Sequence, residues 1–246
     1  MTKRVKLVVA YDGTNYCGWQ IQPNGITIEE VLNKALTDLL GEDIQVIGAS
    51  RTDSGVHSLG NVAVFDTTTR IPAEKLSYAL NQRLPEDIVV QDSCEVPTDW
   101  HPRHCDSKKT YEYRILNRTF PQPTRRLDTY FVHYTLDIEK MRAAAKRVEG
   151  THDFKSFCSV NTAVTDTVRT IYACEVLQDG ELITIRVTGS GFLYNMVRII
   201  AGTLVQVGLG RIKPGEIDTI LAAKDREHAG PTAPAHGLTM IGIAYD

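Results

Sequence analysis

The 246-residue sequence predicts an α+β protein of two tandem β-α-β-β-α-β units forming a mainly antiparallel sheet, with helices on one side and a central cleft. Three observations carry this expectation. Apolar residues alternate at period two in some segments and recur at helical spacing in others. The two kinds of segment follow one order, and that order occurs twice. Hydrophobic residues make up 42% of the chain and charged residues 23%, enough to bury a core without disulfide or metal staples.

In the first half, Val5, Leu7, Val9 and Tyr11 share one face of a strand over Val5–Tyr11. Thr27-Ile28-Glu29-Glu30 is a capping box that opens a helix, with Glu30 reaching back toward the Thr27 amide. Its apolar stripe is Ile28, Val31, Leu32, Ala35, Leu36 and Leu39, and Gly41 ends it. Ile44–Gly48 and Asn61–Asp66 read as strands on either side of an Arg51–His57 loop. Pro72–Leu84 reads as a second helix closed by Pro85, and Ile88–Cys94 as a strand.

The second half repeats the order. Thr110–Leu116 is a strand with Tyr111, Tyr113 and Ile115 on one face, and Asp137 caps a helix running to Gly150. Val168–Leu177 and Leu182–Thr188 form a hairpin turned by Asp179-Gly180. Phe192–Val207 is apolar almost all round and should be buried. A shorter helix, Pro214–Ala223, and a strand, Met240–Tyr245, complete the chain. Tandem units of this order describe a duplicated ferredoxin-like (RRM-like) architecture, whose sheet face serves many RNA binders. The expected domains are 1–106, carrying the loop, and 107–246, carrying the tyrosine strand and the apolar helix.

Composition excludes several classes. No signal peptide is expected at the start of the chain, and the longest apolar run, Phe192–Val207, is too short for a membrane span and holds Asn195 and Arg198. A soluble, cytoplasmic protein is expected. The five cysteines are widely spaced without C-x-x-C, as free thiols in a reducing compartment are. His101, His104 and Cys105 lack a second ligand pair at zinc spacing, so no metal is expected. The net charge of −3 announces no nucleic-acid partner. Between Trp100 and Arg126, however, Arg103, Lys108, Lys109, Arg114, Arg118, Arg125 and Arg126 face only Asp106 and Glu112, with Tyr111, Tyr113 and Phe120 interleaved. That mixture suits phosphate contact and base stacking, or a solvated charged surface.

The chemistry-bearing candidates are few. Arg51-Thr52-Asp53-Ser54-Gly55-Val56-His57 joins two strands, and its Asp-Ser-Gly core is turn chemistry that could equally present a carboxylate. Arg198, on the apolar helix, should meet an anion, since a buried guanidinium costs several kcal/mol unpaired. A catalytic or a structural carboxylate would serve. Tyr111 reads either as core or as a base-stacking ring beside Lys108 and Lys109. Gly189-Ser190-Gly191 lacks the third glycine of a dinucleotide fingerprint, Tyr194 standing there, and there is no P-loop, nucleophile elbow or zinc-protease motif. A lone aspartate with a lone arginine and no cofactor motif suits covalent catalysis by a carboxylate.

Along nearly its whole length the chain resembles the tRNA pseudouridine synthase A family. Five ordered motifs carry the resemblance: Tyr11–Pro23, Arg51–His57, Lys109–Tyr113, Phe192–Arg198 and Ala233–Leu238. The resemblance implies that Asp53 is the catalytic aspartate and that Tyr111 stacks on the target uracil and assists proton removal. It implies that Arg198 pairs with Asp53, that Arg51 contacts the RNA backbone and holds the base out, and that Leu238 packs against the base. Lys108 and Lys109 would bind substrate phosphates. It further implies a cofactor-free homodimer with a basic cleft for tRNA, acting on uridines 38–40 of the anticodon stem-loop. Ser50 and Glu29 depart from the family's usual glycine and glutamine. Two other readings use the same residues: a non-catalytic RNA-binding protein, and a nucleoside or RNA hydrolase with Asp53 as nucleophile.

Overall fold

The computed structural model describes residues 2–159 and 165–245. In chain order the elements are β1 (Lys3–Tyr11), α1 (Ile28–Leu40), β2 (Ile47–Gly48), β3 (His57–Thr67), α2 (Leu76–Leu80), β4 (Ile88–Val96), β5 (Ser107–Asn117), β6 (Tyr130–Val132), α3 (Ile138–Val148), β7 (Gly150–Asp153), β8 (Val168–Asp179), β9 (Leu182–Gly189), α4 (Met196–Gly208), α5 (Glu216–Ala223) and β10 (Leu238–Tyr245). They form two compact units, one of Met1–Ser107 with Met240–Asp246 and one of Lys108–Thr239. The sequence expectation ran the second domain to residue 246. The last residues instead cluster with the first unit, where β10 lies beside β3.

In the first unit β1 is central, antiparallel to β3 on one side and to β4 on the other, and β2 also pairs with β3. The alternation of β1 puts Val5, Leu7, Val9 and Tyr11 on the covered face. α1 packs on that face through Ile28, Leu32 and Leu36, each fully buried. The Thr27 side chain caps α1 by accepting from the Glu30 amide, and Gly41 leaves the helix in the left-handed region at φ 67°. Glycine occupies that region without a Cβ penalty.

Two elements of this unit are shorter than expected. Of the Ile44–Gly48 segment only Ile47–Gly48 pairs as a strand. Side chains of α1 take the place of a ladder partner: Thr37 Oγ1 accepts from the Ile44 amide at 3.2 Å and Asn33 Oδ1 from the Val46 amide at 2.8 Å. The expected Pro72–Leu84 helix is a 3-10 turn, Ala73–Lys75, followed by the short α2. Asn81 ends it by giving both ends of its amide to the Val90 backbone, at 2.8 and 2.9 Å.

The second unit is ordered β5-β9-β8-β7, antiparallel throughout, with β6 added parallel to β5. Tyr113 and Ile115 of β5 share a buried face with Ile183, Ile185 and Val187 of β9. The two central residues of the β8–β9 hairpin are Gly180 and Glu181, one position later than the sequence suggested, with Gly180 at φ 57°. Asp137 caps α3, as expected, by accepting from the Lys140 amide. Most of α4 is buried. The mixed, mostly antiparallel α+β class matches the sequence expectation. Among the described residues no helix is long and apolar enough to cross a membrane.

Leu36 is fully enclosed between α1 and the sheet. Leu36→Ala is therefore expected to destabilise the protein by about 2–5 kcal/mol, read as a lower midpoint in urea unfolding, whereas Leu39→Ala on the half-buried flank of the same helix costs less.

Candidate active site

The loop between β2 and β3 is fixed by its backbone. The Val56 amide donates to the Asp53 carbonyl at 3.1 Å, and Gly55, third in this turn, has φ 77°. That is the geometry of a type II turn, whose third position needs the positive φ that glycine adopts most readily. Asp53 occupies the first position and is half-buried, while Thr52 and Val56 on either side of the turn are buried. His57 is already the first residue of β3 rather than part of the loop.

The Tyr11–Trp19 segment cradles this turn. The Thr52 carbonyl accepts from the Trp19 amide at 3.1 Å. The Tyr16 carbonyl accepts from Ser54 Oγ at 3.1 Å and from the Gly55 amide at 3.3 Å. Two glycines make the approach possible. A Cβ on Gly13 would lie 2.1 Å from the Val56 carbonyl oxygen, and one on Gly18, at φ 83°, 2.5 Å from that of Thr52. The Tyr11 hydroxyl lies 2.7 Å from Thr52 Oγ1, and Asn61 Nδ2 donates to the Ser50 carbonyl at 3.0 Å. Burial pushes the Tyr11 phenol up to about 12. His57 Nδ1 accepts from the Gly13 amide at 3.1 Å. The opening motif, legible in sequence only as a signature, is thus the mould of the Asp53 loop.

Arg51 is exposed at the start of the loop. Arg103, from the basic stretch, donates from Nε to the Gly48 carbonyl at 2.6 Å. Burial and the nearby Arg51 charge pull its guanidinium below the ordinary value. Sequence reasoning assigned Arg103 no place in the site. Its neighbourhood with Arg51 spans a gap in the chain that no local pattern reveals.

The second unit holds the remaining candidates. Tyr111, on β5 opposite Val187, is buried, and its ring meets that of Phe192 edge-on at a centroid distance of 5.1 Å. Lys109 lies two residues before it, opposite Gly189, and Lys108 Nζ sits 5.8 Å from the Tyr172 ring centroid. Arg198 is in the first turn of α4 and is half-buried, not buried as the apolar run suggested. The reason is the late helix start: α4 begins at Met196, so Arg198 lies near its end rather than in its enclosed middle. Its Nε donates to the Ala233 carbonyl at 2.8 Å and its Nη1 to Asn195 Oδ1 at 2.7 Å. The Ala233 amide returns a bond to the Arg198 carbonyl at 3.1 Å.

The Ala233–Leu238 motif closes on Tyr113. The Tyr113 hydroxyl donates to the Pro234 carbonyl at 2.8 Å, and a Cβ on Gly237 would lie 2.7 Å from the Tyr113 ring. Leu238 follows directly and is buried. Part of the basic stretch is committed within the chain. Arg114 pairs with Glu112 and Asp128, and Arg118 with Glu181. Among the described residues no three metal-capable side chains gather, so the His101, His104 and Cys105 neighbourhood forms no such cluster.

The first unit thus presents a carboxylate on a moulded turn, and the second an arginine at a helix start and a tyrosine strand beside lysines. The family described as tRNA pseudouridine synthase matches residues 7–104 and 144–246. Proteins called tRNA pseudouridine synthase A from Thermoanaerobacter sp. (strain X514), Acetivibrio thermocellus and Geotalea uraniireducens are 51%, 46% and 44% identical, each over 99% of this chain and the whole of the relative. An archaeal box H/ACA sRNP Nop10-Cbf5 complex matches with 13% identity and a TM-score of 0.36 over 96% of this chain, which spans about half (46%) of the matched one. That likeness bears no weight. This chain belongs to the tRNA pseudouridine synthase family, isomerases acting on tRNA.

Two outcomes test the mould. Gly18→Ala should displace the Thr52–Asp53 backbone and lower kcat for pseudouridine formation on the order of 100-fold, measured beside a thermal melt. Tyr11 ties stability to alkaline pH. Above about 10 the unfolded chain's tyrosines ionise, while Tyr11 stays neutral until about 12. Its contribution is complete below the unfolded value and is lost as pH rises through this window. Tyr11→Phe should make the alkaline fall in melting temperature shallower.

Proposed function

We propose that this chain converts uridines 38–40 of the tRNA anticodon stem-loop to pseudouridine, with Asp53 as the catalytic carboxylate. The observation that carries the reading is the Asp53 turn. The backbone at Thr52 and Gly55 and the Ser54 hydroxyl are bonded to the Tyr11–Trp19 segment, so the carboxylate is presented on a preset frame. The full-length relatives named tRNA pseudouridine synthase A support the substrate class.

In this reading the target uridine leaves the stack, because its reacting atoms are otherwise out of reach. Tyr111 stacks on the uracil and assists proton removal. Asp53 acts by attack on the ribose, by attack on the uracil ring, or as a base at the sugar. In every route the N1–C1′ bond breaks, the uracil turns, a C5–C1′ bond forms, and the proton lost from C5 is balanced by one gained at N1. Arg198 supplies the positive charge that keeps the catalytic carboxylate ionised. Arg51 holds the RNA backbone, Lys108 and Lys109 meet phosphates, and Leu238 packs against the base. The protein acts without a cofactor, as a cytoplasmic homodimer. The reducing compartment is supported by five cysteines that form no disulfide.

Unmodified tRNA incubated with the protein, then mapped by carbodiimide and reverse transcription, should show new stops at positions 38–40. Asp53→Ala should abolish the stops while tRNA affinity stays within a few-fold. Stops that persist in Asp53→Ala remove Asp53 from the chemistry, and stops confined to other positions overturn the substrate assignment.

A further inference from the structure

Asn195 is one of two non-glycine residues at positive φ among the described residues, at φ 61° and ψ 7°. Asparagine visits this region more readily than most residues, yet a non-glycine there is worth explaining and such positions gather at functional sites. The residue stands at the start of α4, where its carbonyl accepts from the Ile199 amide at 2.9 Å. Its side chain makes no capping bond to the helix. Both ends of the amide are used elsewhere. Oδ1 accepts from Arg198 Nη1 at 2.7 Å, and Nδ2 donates to Ser159 Oγ at 2.8 Å. The guanidinium only donates, so it is the amide oxygen that must face Nη1, which leaves Nδ2 to donate to Ser159 Oγ. With Nε held on the Ala233 carbonyl, the two bonds fix the guanidinium plane using two of its five donors.

We propose that Asn195 is a positioning residue for Arg198, its left-handed backbone serving to aim the amide oxygen at the guanidinium. This rests on the assignment of Arg198 to the active site made above. A capping side chain in the ordinary extended conformation would bond helix amides instead. Here the helix forgoes that cap, and the amide holds a catalytic charge in one orientation.

The test separates backbone from side chain. Asn195→Gly keeps the left-handed conformation at little cost and removes only the amide. Its kcat for pseudouridine formation should fall about 10- to 100-fold, as expected for loss of a hydrogen bond to a charged group, with KM for tRNA and melting temperature near wild type. Asn195→Asp retains the acceptor oxygen but sets a carboxylate against the guanidinium, so its kcat should stay as low as that of Asn195→Gly. Wild-type kcat in Asn195→Gly overturns the proposal. So does a fall in melting temperature with KM and kcat changing together, which marks a purely structural role. Arg198→Lys, measured in parallel, tests the underlying assignment: wild-type kcat there removes Arg198 itself from the site, whereas a loss there with none in Asn195→Gly removes only the Asn195 role.

Discussion

The candidate site depends on a backbone-to-backbone approach between two segments distant in sequence. The Asp53 turn cannot hold itself, because one i to i+3 hydrogen bond fixes its shape and not its place. Its place comes from Tyr16 and Trp19, whose main-chain groups bond to the turn from the other side. Main chains come this close only where side chains are absent, and Gly13 and Gly18 supply the absence. Each bond contributes only about 1 kcal/mol net, but together they exclude alternative loop positions. That exclusion is what a reacting carboxylate needs, since orientation is lost with displacements of about 1 Å.

The second unit uses the same device around Arg198. A Cβ on Gly202 would sit 1.8 Å from the Pro231 carbonyl oxygen, and one on Gly230 2.6 Å from the Thr203 Cα. The segment after α5 therefore lies directly on α4, and Thr203 Oγ1 accepts from the Gly230 amide at 2.9 Å. This contact brings the Ala233 carbonyl to the Arg198 Nε and carries the chain on to Gly237 against Tyr113. Arg198 is thus oriented in its own unit by neutral acceptors, a carbonyl and an amide oxygen. Neutral partners fix its direction and leave its charge uncompensated by them, which preserves its value to an anion.

How much of this the sequence disclosed follows from the range of the interactions. β1 and α1 were legible because their signals are local: alternation over Val5–Tyr11, Thr27 before an apolar stripe, Gly41 after it. The second helix was over-read because Pro72–Leu84 has helical spacing, while its end is set by Asn81 reaching Val90 on β4. Ile44–Val46 looked like strand because its residues are apolar, yet its amides go to α1 side chains. Asp53, Tyr111 and Arg198 became candidates through motifs alone. The half-burial of Arg198 could not be read that way, since it depends on Asn195 turning left-handed and delaying the helix start. The neighbourhood of Arg51 and Arg103 is tertiary and left no trace in either local pattern.

Charge gives the last link between this architecture and an RNA substrate. A net charge of −3 opposes a polyanion in sum, but at physiological ionic strength charges act over about 8 Å. The sum over the whole surface therefore matters less than the residues within one screening length of the bound strand. Of the basic stretch, Arg114 and Arg118 already pair with Glu112, Asp128 and Glu181. Arg51 and Arg103 contrast with them. Burial and the Arg51 charge pull the Arg103 guanidinium below its ordinary value, and an anion placed beside the two would offset their like charge. A phosphodiester beside the Asp53 turn would be such an anion. The same frame that presents the carboxylate then also fixes where the backbone of the substrate must lie.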